Sequence, residues 1–339
     1  MEIFALPWPK ELNCSSVPDS NDTTVCTGFN EANETPQIRD CDEDEVQCDT
    51  DRCIAKSYIC DGFQDCRDYS DEKFCLCGSR PAYYPSPLRV VNGDEVKPGT
   101  WPFVVELLGG RRRVHFCGAV IIGQRWVMTA AHCIGPKRKS DGIYLNIGGI
   151  RRFAYSKYRQ TKRAKVFYVH PDYSSMTVEN DIALIETSSP IQFNDYVRPV
   201  CLPGSDDETP VGTRCYVAGW GKTGKNEADF SPTLMEVSLN IVEWRKCKKD
   251  IDNAPITTPF ELKSNNICAG GGFSHDACSG DSGGSLLCPS DPSGDTWKAT
   301  GIVSWGLGCA VPNIPGVYTQ VSKYASWIRN VTRNGVMVP

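Results

Sequence analysis

Residues 277–286 read ACSGDSGGSL, with serines, glycines and an aspartate crowded together. A serine hydroxyl becomes a useful nucleophile only when a base removes its proton. Near neutral pH histidine is the side chain suited to that task. The chain has four: His115, His132, His170 and His275. His132 follows the apolar run RWVMTAA and adjoins Cys133, whose disulfide would hold it rigidly. His170 stands before Pro171 in the polar stretch HPDYSS, which reads as a loop. A base needs a carboxylate to orient it. Asp181, in ENDIALIE, opens an apolar strand, where a buried carboxylate must find a partner such as an imidazole N–H. The glycines have a matching use. An oxyanion hole needs unobstructed backbone N–H groups, which Gly280 and Ser282 can supply, while Gly283 and Gly284 let the chain pass close behind. Asp281, beside the nucleophile, needs a cation. Cleavage after Arg89 in PLRVVNG would leave Val90 as an apolar N-terminus carrying an ammonium. Burial of that tail against Asp281 would act as a switch.

The elements that must position these groups read as β-strands. Short apolar runs recur at FVVELL (from 103), GAVII (118), IYLNI (143), AKVFYV (164), IALIE (182), RCYVAGW (214), SLLC (285), ATGIVSW (299) and GVYTQV (316). Gly, Pro and polar clusters separate them, the pattern of an all-β sandwich or barrel. VSKYASWIRN places Val321, Tyr324, Ala325 and Ile328 on one face of a C-terminal helix. Residues 78–89, GSRPAYYPSPLR, contain three prolines and are expected to form an extended, exposed linker.

The whole chain has 339 residues and 18 cysteines. The length suggests two domains, and the even cysteine count suits an oxidising compartment. Sequons at Asn13, Asn21, Asn33 and Asn330 agree with secretion. No apolar run is long enough to span a membrane, and the first residues do not read as a signal peptide. The expected localisation is therefore extracellular, as a secreted chain or as part of a longer protein anchored to a membrane upstream. The net charge of −5 hides two opposed regions. Residues 1–76 hold 18 acidic and 6 basic side chains, whereas residues 111–165 hold 14 basic ones and a single acid, Asp141.

The motifs VVNG, TAAHC, NDIAL, GDSGGS and VSWG, in this order, resemble the trypsin/chymotrypsin-like serine proteases over residues 77–332. The resemblance implies two packed antiparallel β-barrels with a C-terminal helix. It implies His132 as general base, Asp181 as its orienter, Ser282 as nucleophile and Gly280 and Ser282 as oxyanion donors. Ser279 and Ser285 become bystanders. Asp276 falls at the floor of the specificity pocket, with Ser304, Gly306 and Gly316 along its wall, which implies cleavage after Arg and Lys. Ala277 tilts the preference toward Arg. Pairings Cys77–Cys201, Cys117–Cys133, Cys215–Cys288, Cys247–Cys268 and Cys278–Cys309 are implied as well. The first of them keeps the N-terminal part attached after a cut at Arg89. The implied partners are protein substrates with exposed Arg or Lys and an upstream activating protease. No catalytic cofactor and no nucleic acid are expected.

Residues 41–75 hold six cysteines and a late acidic cluster. So short a segment has almost no core, and disulfides with a metal must stabilise it. It resembles a low-density-lipoprotein-receptor class A module. That implies a structural Ca²⁺ held by side chains of Asp61, Asp65, Asp71 and Glu72 and carbonyls of Tyr58 and Phe63, a donor set that suits calcium. The implied pairs are Cys41–Cys53, Cys48–Cys66 and Cys60–Cys75. Residues 4–26 resemble the end of a frizzled-type cysteine-rich domain, which leaves the pairing of Cys14 and Cys26 open; a glycosylated leader is the alternative for residues 1–40. The domain order is then leader (1–40), class A module (41–75), linker with activation site (76–89) and protease (90–332). The basic loops are a solvated face or an exosite for an anionic ligand. GGIRRFAYSKYRQTKRAK covers a loop that binds calcium in some relatives, but it lacks acidic ligands.

Overall fold

The computed structural model describes residues 41–42, 45–48, 52–55, 58, 65–67, 77–83, 94–135, 142–222, 230–255, 259–272, 280–290, 294, 296–307, 311 and 313–334. Strands β1 (Glu45–Cys48) and β2 (Arg52–Ala55) form an antiparallel hairpin. Its small core is Ile54 and Cys66, with Tyr58 packed against them. Cys41–Cys53 ties the hairpin, so a covalent bond does what so few apolar contacts cannot.

Strand β3 (Asp94–Glu95) precedes a closed barrel. That barrel comprises β4 (Val104–Gly109), β5 (Val114–Ile121), β6 (Trp126–Thr129), β7 (Ile143–Ile147), β8 (Gln160–Val169) and β9 (Ala183–Thr187), in the order β4-β5-β6-β9-β8-β7. A second antiparallel set comprises β10 (Arg214–Gly219), β11 (Met235–Val242), β12 (Asn266–Gly270), β13 (Ser285–Pro289), β14 (Trp297–Trp305) and β15 (Pro315–Gln320). Its order is β10-β13-β14-β15-β12-β11, and pairing of β10 with β11 closes it into a six-stranded barrel. Closure leaves no unpaired edges to manage.

Val105, Leu107, Val127, Leu145 and Ile185 fill the first barrel, each fully buried. Val217, Leu239, Leu286 and Tyr318 fill the second. Helix α1 (Ala131–Ile134) follows β6, and α2 (Trp244–Asp252) lies between β11 and β12. The C-terminal segment turns once as a 3-10 helix (Val321–Tyr324) before α3 (Ala325–Asn334). Val321, Tyr324, Ala325 and Ile328 are all buried there, as the 3.6-residue spacing requires.

Cys77–Cys201, Cys117–Cys133, Cys215–Cys288 and Cys247–Cys268 are disulfides. Cys60–Cys75 and Cys278–Cys309 rest on residues outside the described set, as do Cys14 and Cys26, and Cys48–Cys66 rests on the Cys48 side chain, which is not among the described side chains. The expectation of an exposed linker fails where residues 77–83 are described. Gly78 and Ser79 are buried. Gly78 N–H donates to the Pro199 carbonyl (2.8 Å) and its own carbonyl accepts from Trp297 N–H (3.1 Å). The Arg80 guanidinium lies 4.9 Å and 4.6 Å from the ring centroids of Trp101 and Trp297. The Cys77–Cys201 crosslink and this cation–π stack hold down a segment whose composition alone reads as free.

Candidate active site

His132 sits on α1, directly after β6 and next to the Cys117–Cys133 bridge. Asp181 lies in the turn before β9 and is 1% exposed. Its Oδ1 accepts the His132 backbone N–H at 2.8 Å. Its Oδ2 lies 2.7 Å from His132 Nδ1, which therefore carries a proton facing the carboxylate. Oδ2 also accepts the Ser304 hydroxyl at 2.5 Å. Three donors thus satisfy a carboxylate removed from water, as its burial requires. The His132 side chain keeps 26% of its surface exposed, leaving Nε2 on the open side.

The backbone around Asp181 is fixed by its neighbours. Asn180 has φ of +55°, a conformation asparagine tolerates better than most residues. Its side-chain oxygen accepts from Tyr324 OH (3.0 Å) and Asn265 Nδ2 (3.0 Å), and its amide donates to the Asp172 carbonyl (2.9 Å). Thr319, on β15, donates its hydroxyl to the Asp181 carbonyl at 3.0 Å. Burial, then the Asp181 charge, pushes the Tyr173 phenol up to about 12, so it stays neutral beside that carboxylate. Burial lowers His170, against the pull of Asp172; its ring packs edge-on to Tyr324 and tilted against Trp327, which leaves it in the structural role of a packed loop histidine.

Ser282 stands in the turn that leads into β13. Its carbonyl accepts from Gly118 N–H on β5 (2.8 Å) and lies 3.6 Å from Cys133 Sγ. The nucleophile candidate is therefore docked against the residue that follows His132. Gly283 has φ of +77°, and a Cβ there would fall 2.2 Å from Thr129 Oγ1 and 2.7 Å from the Gly118 carbonyl. Only glycine fits this seam between the barrels. No hydrogen bond joins the Ser282 hydroxyl to His132 among the described contacts; Nε2 lies 3.7 Å from Cys133 Sγ. Catalytic hydrogen bonds in substrate-free sites are commonly long.

Asp281 Oδ1 accepts Gly221 N–H at 2.9 Å. Its carboxylate fills the space that side chains at Gly219 and Gly221 would need. Gly306 is exposed just past β14, and Gly316 is buried in β15 opposite Ala269. Asp276, Arg89 and Val90 lie outside the described residues, as do Asp61, Phe63, Asp71 and Glu72. Tyr58 and Asp65 are described, both partly buried. Of the expected calcium donors these two alone are placed, and Tyr58 packs on Ile54 and Cys66, leaving its backbone for coordination. The six-oxygen donor set, four carboxylates and two carbonyls, fits calcium. Two other clusters, Cys117–His132–Cys133 and Cys41–Glu45–Cys53, offer no metal site, because their sulfurs are spent on disulfides.

A sequence model of the trypsin family matches residues 90–328. The chain belongs to the trypsin family. A model of the low-density lipoprotein receptor domain class A matches residues 39–75 of the same trypsin-family chain. Human transmembrane protease serine 5 is 35% identical over 77% of this chain and 54% of its own length. Mouse tryptase is 37% identical over 71% and 88%. Rat transmembrane protease serine 9 is 34% identical over 86% and 27%. The chain spans only about a quarter to a half of the two transmembrane proteases. No described helix of this trypsin-family chain is long and apolar enough to cross a membrane.

Sequence reasoning placed Ser304 along the substrate pocket and missed its hydroxyl bond to Asp181. It also missed Asn180, Thr319, Glu106 and the side-chain role of His115. The asparagine before the aspartate was a readable signal, since αL positions favour it. The others carried none that spacing reveals.

Proposed function

We propose that this chain is the zymogen of an extracellular serine endopeptidase that hydrolyses peptide bonds after Arg and Lys. The observation that carries it is the doubly hydrogen-bonded, 1% exposed Asp181 behind His132, with the Ser282 turn seated on the neighbouring Cys133. In this reading, cutting after Arg89 frees the Val90 amine to pair with Asp281. Ser282 Oγ attacks the scissile carbonyl as His132 Nε2 takes its proton. Asp181 holds the imidazole and offsets its new charge. Gly280 and Ser282 N–H groups receive the oxyanion. His132 then protonates the leaving amine, and a water activated by the same base releases the acyl group from Ser282. Asp276 confers preference for a cationic side chain. Metal chemistry has no part in these steps; Ca²⁺ would stabilise the class A module alone.

Further partners follow from charge and from the relatives. A separate protease would cut Arg89, and an anchor upstream of residue 1 would hold the molecule at a cell surface. The groove of about 590 Å³ lined by Lys97, Arg151, Tyr155, Lys157 and Tyr158 suits an acidic protein segment. Arg151 is already paired with Glu95 of the same groove (3.0 Å), so the attraction would be modest.

The test is turnover of an arginyl peptide ester before and after cleavage at Arg89, with Ser282→Ala as control. Activity that appears on cleavage and vanishes in the variant supports the reading. A cleaved, folded enzyme that ignores arginyl and lysyl substrates overturns it.

A further inference from the structure

The first barrel buries a second group of charged side chains, away from the His132–Asp181 pair. Glu106, on β4, is 1% exposed, and His115, on β5, is 2% exposed. Asn146, on β7, donates its amide to Glu106 Oε2 at 2.7 Å. Arg152, in the loop after β7, donates Nε to Oε1 at 2.8 Å. His115 Nδ1 lies 3.4 Å from the same oxygen. Burial pushes the Glu106 carboxyl up, but the His115 imidazole beside it and hydrogen bonds from Asn146 and Arg152 outweigh it and hold the group below the ordinary glutamate value. Replacing such a cluster by hydrocarbon often costs a fold nothing, so its burial on the outer face of the first barrel calls for a use.

The use is visible at the other side of the imidazole. His115 Nε2 is 3.0 Å from the Gly280 carbonyl. A carbonyl only accepts, so Nε2 carries the hydrogen. Phe230 lies edge-on to the His115 ring, centroids 4.8 Å apart, and its ring fills the place where a Gly280 side chain would go. Gly280 is thus gripped at its carbonyl and along its flank, two residues before Ser282. A chain of contacts runs from the loop residue Arg152, through Glu106 and His115, to the oxyanion turn.

We propose that Glu106 is a positioning residue for the reaction. It fixes the His115 imidazole, which anchors the Gly280 carbonyl and so sets the direction of the Gly280 N–H. Arg152 holds Glu106 in place from the loop side. The proposal rests on Gly280 serving as an oxyanion donor. Such a donor acts mainly in the transition state, so misdirecting it lowers kcat and leaves KM nearly untouched.

The experiment uses the full chain cleaved at Arg89 and an arginyl peptide substrate. Glu106→Ala should lower kcat about tenfold, a fraction of the ~10²–10³ seen when an oxyanion donor is lost, with KM within about twofold. Glu106→Gln, which keeps shape and an acceptor, should recover most of the rate, and Arg152→Met should lose a few-fold. Inhibitors give a readout that general destabilisation does not move. Benzamidine, which fills only a specificity pocket, should bind all variants alike. An arginyl aldehyde, whose adduct places an oxyanion in the hole, should weaken by the same factor as kcat. Folded Glu106→Ala with wild-type kcat, or with the change confined to KM, overturns the proposal. If Glu106→Ala does not fold, Glu106→Gln and Arg152→Met decide: unchanged kcat and aldehyde affinity in both overturns it. Wild-type turnover by Ser282→Ala would remove the catalytic reading itself, and the relay with it. An inactive Ser282→Ala beside fully active Glu106 variants refutes the relay alone.

Discussion

The two halves of the site are secured by different means. The His132–Asp181 half is held by side chains that already have their partners: three donors on one buried carboxylate, with Asn180 and Thr319 fixing the backbone around it. The Ser282 half is held by main-chain bonds, to Gly118 and through Gly283 and Gly284, and by Asp281 at Gly221. The first arrangement is complete within the uncut sequence. The second includes Asp281, which accepts Gly221 N–H and for which the Val90 ammonium is the proposed further partner. On the proposed activation, the base stays assembled before and after the cut, and only the Ser282 half is conditional.

The hardest blow to the permanent half is Asp181→Asn. Turnover of the cleaved enzyme should fall about 10⁴-fold near neutral pH, because the wrong imidazole tautomer is favoured. Steady-state kinetics with circular dichroism to confirm folding would check it, and a loss below tenfold would mean that Asp181 does not orient the base. The conditional half should break with Asp281→Asn. Loss of a buried ion-pair partner costs about 3–5 kcal/mol, so kcat/KM should drop roughly 10²–10³-fold. The uncut precursor should barely respond to the same substitution; equal effects on both forms would erase the distinction between the halves.

Gly283→Ala probes the seam where the halves meet. Its positive φ and the 2.2 Å approach to Thr129 Oγ1 should cost about 2–3 kcal/mol, read as a lowered midpoint in urea. A smaller effect attaches to pH. The folded Glu106 carboxyl titrates below its ordinary value of 4.5. The stability it contributes is then complete above pH 4.5 and is lost as pH falls through the lower folded value. Glu106→Gln should flatten that acid limb, and thermal unfolding between pH 3 and 6 would show whether it does.

Much of this was legible from residues alone. The runs FVVELL from 103, IYLNI from 143 and IALIE from 182 are apolar enough to declare strands, and Ser282, His132 and Asp181 suggest a proposed triad by their chemistry. Closure into two barrels is not a local property, and apolar spacing left sandwich and barrel equally open; the family resemblance chose between them. Glu106 was hidden because a charge inside FVVELL looks like the solvent face of an alternating strand; it does lie on the face opposite Val105 and Leu107, but Asn146 and Arg152 cover that face and bury it. Ser304 was hidden for a related reason: a small hydroxyl in GIVSW gives no sign of which way it points. The packing of Arg80 between two tryptophans depends on residues far away in sequence, and no reading of GSRPAYYPSPLR supplies them.

Asp181 is held by one barrel and tied to the other by two hydroxyls, Ser304 on its carboxylate and Thr319 on its backbone carbonyl. Catalytic competence therefore gauges how closely the two lobes are pressed together. Prying them apart under mild denaturant should silence the enzyme while both lobes still give their full β signal, so that inactivation runs ahead of unfolding.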